Sequence, residues 1–394
     1  MINDSPKATT LSDATRADNV VEAPRLMSLD LFRGLTIAAM IVVNDPGDGS
    51  SSYWALKHAE WNGWTATDLV FPSFLFIVGV AMAFSFSSRL RRGESRWRLL
   101  GHTLWRGFAL FAIGLFLNGF PLHYDPAHLR VYGVLQRIAI CYVLTAILEL
   151  WADSRVQLAV AVACLATYWV LMRHVAVPGY GIPGQDIPLL DPDRNLVAWL
   201  DRKLLMGHLY EHTRDPEGLI STIPALATCL FGLLTGKWLR SARSANAKAF
   251  GMAAVGVIAI AVGRTWHLWF PINKKLWTSS FVLFTAGGAL VLLALCYWIA
   301  DVKQHRGRWT KPILVFGTNA IAAYFLSEAV AAALYTVKIQ AGSQAVSLQD
   351  YIYSRCFEPL ASPASASLLY ALVYVALCWL VMAGLYRKGI FLKL

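Results

Sequence analysis

Beyond residue 25 the chain is written as long apolar runs separated by short polar breaks. The runs fall near residues 29–44, 67–88, 98–119, 131–151, 155–174, 219–239, 248–269, 276–300, 312–337 and 363–386. Each approaches the roughly 20 residues that carry a helix across a bilayer. The pattern predicts an all-α, polytopic integral membrane protein of about ten transmembrane helices, built as one transmembrane domain over residues 25–394. Three stretches depart from it. Residues 1–24 are polar, mixed in charge and without an apolar core, and read as a disordered cytoplasmic tail. Residues 173–218 form a long loop rich in Pro, Gly and Asp. Within that loop LVAWLDRKLLMGHLY spaces its leucines and aromatics as an amphipathic helix lying over the membrane face. The third departure is NDPGDGSSSYWALKHAEWNGWTATDLVFPSFLF, from Asn44 to Phe76, which is far richer in acids, aromatics and amides than a connector needs.

Composition agrees with a membrane chain. It is 57% hydrophobic and 15% charged, where soluble domains average about 25% charged. The net charge of +11 does not mark a nucleic-acid binder, because Lys and Arg cluster in the breaks between runs. With the N-terminus inside, the inside segments hold twenty Lys and Arg, against six in the short outside loops: Lys57, Arg130, Lys274, Lys275, Lys338 and Arg355. That bias predicts cytoplasmic N- and C-termini in a multi-pass inner-membrane protein. The loops around His58 and over 173–218 then lie on the periplasmic side. Cys141, Cys164, Cys229, Cys296 and Cys378 sit inside apolar runs and read as packing residues, not as disulfides or metal ligands.

Ionisable groups at membrane depth are functional candidates, since each costs several kcal/mol unless compensated. Asp68, Arg106, Arg137, Glu149, Arg264 and Glu328 qualify, with Asn44, Asn118, Gln136 and Asn319 as polar companions. Glu149 and Arg264 lie near helix ends, where snorkelling accounts for them. Asp30 and Arg33, one turn apart, read as an interfacial ion pair anchoring the first helix. His58 is the imidazole of the densest polar stretch and can serve as general base or nucleophile. His208 and His212 would share a helical face, but no third metal ligand accompanies them.

The segments SLDLFRG, VVNDPG and WALKHAEWNGWTATDLVFPSFLFIVG resemble the core of the transmembrane heparan-α-glucosaminide N-acetyltransferase family. VYGVLQRIAICY, DPEGLISTIPALATCLFGLLTG, PINKKLWTSSFVL and GTNAIAAYFLSE extend the resemblance, in order, to about Glu328. The family's eukaryotic members carry an extra span and a lumenal domain ahead of this region. The resemblance implies transfer of acetyl from cytosolic acetyl-CoA, a co-substrate, to the amine of glucosamine or a glucosamine-ended saccharide on the opposite face, with no metal. It puts the catalytic histidine on His58 and the catalytically important asparagine on Asn44. Asp68 is a candidate to orient the imidazole, and Asn44 to stabilise an oxyanion. Arg137, Gln136 and Asn319 are the expected acetyl-CoA contacts, Arg137 through the CoA phosphates. Glu328, Asn273 and Lys275 are the expected sugar contacts. Partners are thus the amino sugar and the lipid bilayer, without nucleic acid, and a homodimer is admitted. His58 acting as base in a ternary complex and His58 becoming acetylated both fit. An amino-sugar permease and an O-acyltransferase of an envelope glycan are the competing readings.

Overall fold

The computed structural model describes residues 26–122, 124–341 and 344–392; the expected tail, residues 1–24, lies outside the described residues. In order, the helices are α1 (Met27–Asn44), α2 (Val70–Arg91), α3 (Arg96–Gly119), α4 (Val134–Trp151), α5 (Ser154–His174), α6 (Leu196–Leu205) and α7 (Thr222–Arg240). They continue with α8 (Ala245–Trp266), α9 (Ser279–Tyr297), α10 (Thr310–Thr318), α11 (Ala320–Thr336), α12 (Leu348–Cys356) and α13 (Pro363–Arg387). Among the described residues nine helices are long and apolar enough to cross a membrane, and α10 with α11 forms a bent pair that makes up to ten if the two count as one span. The short helix expected in the long loop is α6, with the Asn195 side chain accepting from Ala198 N–H at 2.9 Å as its N-cap.

The run over 312–337 is not one straight span. It breaks at Asn319 and bends by 81°. Asn319 leaves helical geometry at φ −124°, ψ 40°. Irregular backbone at membrane depth needs internal partners. The Asn319 side-chain amide donates to Ile390 O (3.1 Å) and accepts from Leu392 N–H (3.0 Å), which ties the C-terminal segment to the break. Arg33 donates to Gly317 O at 3.1 Å, satisfying a carbonyl at the end of α10. The same guanidinium pairs with Asp30 at 3.2 Å, as the spacing predicts. A further departure follows α11: a two-stranded hairpin, β1 (Lys338–Ala341) with β2 (Gln344–Ser347), leads into α12 where a plain loop was expected.

At the centre α2 packs along α7, and both are mostly buried, while α3, α5, α8 and α13 show most of their surface. The α2–α7 seam is close because it is built on small residues: a Cβ at Gly79 would collide with the Cys229 carbonyl, and one at Gly232 with the Phe76 carbonyl. On the basic face, short turns restart helices with side-chain caps. Ser95, Asp153 and Ser244 accept from the first free N–H groups of α3, α5 and α8. The opposite face carries the long connections, and these bind one another. Trp61 donates to Leu190 O (2.8 Å), the His208 ring meets Leu129 O (2.7 Å), and Tyr53 meets Ser365 (2.8 Å). The His58 loop, the 173–218 loop and the segment before α13 therefore share one face, as ten crossings require.

Cys356 is the exposed cysteine among the described residues and lies on that face. In sealed vesicles of known orientation, an impermeant maleimide added from the non-cytoplasmic side should label Cys356, and should label Ser51→Cys as well. Labelling of both only after the membrane is opened would reverse the orientation taken from charge.

Candidate active site

The site is built on Asp68, which lies in the 3₁₀ turn Thr67–Leu69 that opens α2. Its side chain is fully buried. Oδ2 accepts from the N–H groups of Ala59 (3.1 Å) and Thr65 (3.0 Å) and from the Thr65 hydroxyl (3.2 Å). Oδ1 lies 2.7 Å from His58 Nδ1. A carboxylate only accepts, so the proton sits on Nδ1 and the Nε2 lone pair is left for chemistry. The His58 side chain is 44% exposed. A fixed, buried acid thus presents a solvent-facing base.

Lys274 completes the group. Its Nζ stands 3.0 Å from His58 Nδ1, 3.1 Å from Nε2 and 4.0 Å from Asp68 Oδ1. Asn273 shapes the loop that delivers it, accepting from Leu276 N–H (2.9 Å) while its own N–H donates to the Thr278 hydroxyl (3.0 Å). The Asn273 amide also donates to Asn62 Oδ1 (3.2 Å), and Gly63 N–H donates to Ile272 O (2.7 Å), so this loop and the WNG turn after His58 are stitched together. Burial pulls the Lys274 ammonium below the usual lysine value, against the opposing pull of Asp68. Lys275 turns the other way, onto Glu211 at 2.8 Å. Of the adjacent lysines, then, the one at His58 is Lys274 and not the expected Lys275. Its signal was visible: two of the six cations in the short outside loops are neighbours in PINKKLW.

A second cluster lies at the end of α1. Asn44 donates to Glu328 Oε1 at 3.0 Å, joining α1 to α11. Asp45 beside it is buried, with Oδ2 unpartnered. Burial first, and then Glu328, push its carboxyl well above the usual range. Arg130 pairs with Asp215 (2.7 Å) and Glu217 (2.6 Å), and the Glu217 charge acts on both Lys274 and Tyr324. Tyr324 is one turn from Glu328 on α11. Glu217, Arg130 and Tyr324 are further residues that spacing did not single out.

The family model for heparan-α-glucosaminide N-acetyltransferase, catalytic, matches residues 25–184, which hold Asn44, His58, Asp68, Gln136 and Arg137. This stretch belongs to the heparan-α-glucosaminide N-acetyltransferase catalytic family. The chain is 33% identical over 355 aligned positions to heparan-α-glucosaminide N-acetyltransferase of Homo sapiens, covering 76% of this chain and 52% of that protein. With the Mus musculus protein of the same name it is 31% identical over 382 positions, covering 82% and 57%. The chain spans about half the length of the curated relatives it matches.

The residues expected to contact acetyl-CoA do not gather in one cavity. A cavity of about 300 Å³ opens among α1, α2, α3, α4 and the broken helix. Arg33, Ser85, Arg106 and Tyr142 are its polar walls, and Leu135 and Ile138 of α4 line it while Gln136 and Arg137 do not. Gln136 faces Gly114 and Gly133, with its Nε2 unpartnered. Asn319 spends its amide on Ile390 and Leu392, so it shapes the cavity wall. Arg106 lies over the Tyr142 ring at 5.4 Å, and its Nε has no partner. A smaller void lined by Met40, Phe74, Leu135, Ile138, Ile321 and Tyr324 shares the walls Phe74, Leu135, Ile138 and Ile321 with this cavity. His208 and His212 fall beyond the end of α6 and share no helical face, which removes the basis for pairing them on a metal.

Arg137 is 1% exposed, donates to Gly218 O at 3.1 Å and to Ser221, and stacks over Trp277 at 5.0 Å. Beside the same Gly218 turn, Asp201 of α6 accepts from Leu219 N–H at 3.2 Å and has Oδ2 unpartnered. Burial pushes the Asp201 carboxyl up to about 7, against the Leu219 N–H. A carboxyl whose folded pKa lies above its unfolded value of about 3.9 favours the fold when protonated. Stability should therefore fall as pH rises from about 4 to about 7 and level off above. Asp201→Asn should unfold at higher temperature than wild type at pH 8, with the gap closing toward pH 5. Equal melting curves for the two at both pH values would contradict this.

Proposed function

We propose that this protein is an acetyl-CoA-dependent N-acetyltransferase of the membrane, passing acetyl from CoA held through the basic face to the amine of glucosamine, free or ending a saccharide, at the His58 face. The observation that carries the reading is the Asp68–His58–Lys274 group, with Nδ1 held by a buried carboxylate and Nε2 meeting Lys274 Nζ at 3.1 Å. In the transfer a C–N bond forms, the thioester C–S bond breaks and the amine proton ends on the departing thiolate. Once the Lys274 ammonium turns from Nε2 to the carbonyl oxygen, Nε2 can take that proton, or can attack the thioester itself and hand the acetyl on. In both routes negative charge grows on the carbonyl oxygen within reach of the attacking centre. A Lys274 ammonium 3.1 Å from Nε2 suits that charge, whereas one of the Asn44 N–H groups is already given to Glu328. No metal is needed in this scheme.

The donor side follows from the cavity. Its cationic walls, Arg33 and Arg106, suit a diphosphate, and its apolar walls suit the pantetheine arm. The void below Tyr324 points the arm at the Glu328 and Glu217 groups. A broken helix lining a cavity is also a carrier feature, so the permease reading has this one observation in its favour. It leaves a buried acid, an imidazole and a lysine without work.

Purified protein given acetyl-CoA and glucosamine should release free CoA thiol, and a carrier should release none. His58→Ala and Lys274→Met should each express and stay monodisperse while losing roughly 100-fold or more in rate. Wild-type rates in His58→Ala would remove the site assignment. Radiolabelled acetyl-CoA without acceptor then separates the routes, since label on His58 that glucosamine discharges means an acetyl-histidine.

Donor binding gives a separate expectation. Arg106→Ala should raise the KM for acetyl-CoA by about tenfold, the worth of one charge-assisted hydrogen bond, with little change for glucosamine. A change confined to the glucosamine KM would place the cavity with the sugar.

A further inference from the structure

Away from the site, an apolar groove of about 470 Å³ lies among α5, α7, α8 and α9. On α8 its wall is Gly251, Met252, Val255, Ile258, Ala259 and Val262, one face of a helix that is otherwise little buried. From Gly251 to Val262 that stripe rises about 16 Å at ~1.5 Å per residue. This is the depth of one leaflet, half of the roughly 30 Å hydrocarbon core. On α7 the wall is Phe231, Leu234, Thr235 and Trp238, and α5 adds Leu158.

The α5, α7 and α8 walls of the groove each meet a cation on the basic face. Lys248 precedes Met252 by one turn on α8, and Arg155 precedes Leu158 by one turn on α5. The Arg243 guanidinium lies 4.5 Å from the Trp238 ring, and the Trp238 indole donates to Lys248 O at 3.2 Å. Lys237 nearby is neutralised by Glu149, but among the described residues no ion pair engages Arg155, Arg243 or Lys248. A general excess of cations on this face accounts for their sign; it does not account for one at the mouth of each stripe. The Trp ring at the same level suits the headgroup boundary.

We propose that this groove binds one anionic diacylphospholipid from the leaflet of the basic face, an acyl chain lying along α8 and the phosphate held by Arg155, Arg243 and Lys248. The apolar walls supply a leaflet's depth of contact, and the three cations supply the preference for a negative headgroup.

Native mass spectrometry of the detergent-purified full chain, with phosphatidylglycerol or phosphatidylcholine of identical acyl chains added, tests this alongside thermal unfolding. Wild type should retain one phosphatidylglycerol per chain and unfold at higher temperature with it, and phosphatidylcholine should do neither. The double variant Arg243→Ala/Lys248→Ala, which changes only the groove mouth, should retain phosphatidylglycerol about tenfold less well. Ala259→Trp, which fills the groove, should retain none. Equal retention of the two lipids by wild type, or undiminished retention by the double variant, overturns the proposal. So does a dimer in wild type that Ala259→Trp abolishes with no lipid bound, which would give the groove to a second copy of the chain.

Discussion

One buried carboxylate sets the geometry on which the His58 face depends. Asp68 is taken out of water at the mouth of α2, where an unpaired charge would cost several kcal/mol. Three donors on Oδ2 and the imidazole on Oδ1 compensate it, and all four come from the loop that precedes α2. The loop is therefore wound around the acid and cannot change shape without uncovering it. His58 inherits that rigidity, and with Asn273 tied to Asn62 so does the segment that carries Lys274. A half-exposed histidine in an extramembrane loop acquires in this way a fixed tautomer and a fixed neighbour.

A comparable economy governs the break at Asn319. Freed backbone groups at membrane depth must find partners, and here they come from side chains far away in sequence: Arg33 on the Gly317 carbonyl, with the Asn319 amide holding residues 390 and 392. The break opens the cavity because α10 and α11 no longer fill the space between α1 and α3. Gly317, Thr318 and Ala320 then form its wall in place of a continuous helix surface. Arg33 serves the fold and faces the cavity at once.

Helix number and limits were legible in the chain because a bilayer leaves one solution for long apolar runs, and ten runs correspond to nine spans and one bent pair. The bend itself was not legible. Nothing in GTNAIAAYF departs from helical periodicity, and the partners that stabilise Asn319 lie some seventy residues on. His58 with Asp68 could be read because both belong to one loop. Lys274 could not be assigned, since choosing it over Lys275 depends on the Asn273-stapled turn and on Trp277 at φ +53°, features of tertiary geometry. Arg137 shows the opposite failure. A buried arginine reads as a phosphate ligand, yet here its partners are a carbonyl, a hydroxyl and an indole face supplied by the connection into α7 and the loop into α9.

That placement of Arg137 bears on how the two faces communicate in the proposed reaction. Beside the cavity lies the thin apolar void under Tyr324, whose walls Met40, Phe74, Leu135, Ile138 and Ile321 come from α1, α2, α4 and α11. Leu135 and Ile138 flank Arg137 on α4, and Arg137 in turn supports Trp277 beneath the Lys274 turn. A thioester arm advancing past Tyr324 must move these apolar side chains, of which Met40 is the most adaptable. Because α4 presents Leu135 and Ile138 to the arm while Arg137 holds the turn that positions Lys274, donor entry and the lysine above His58 share one helix. The fully enclosed guanidinium ties α4 to Gly218, Ser221 and Trp277, which makes α4 the common support of the cavity wall and of the Lys274 turn.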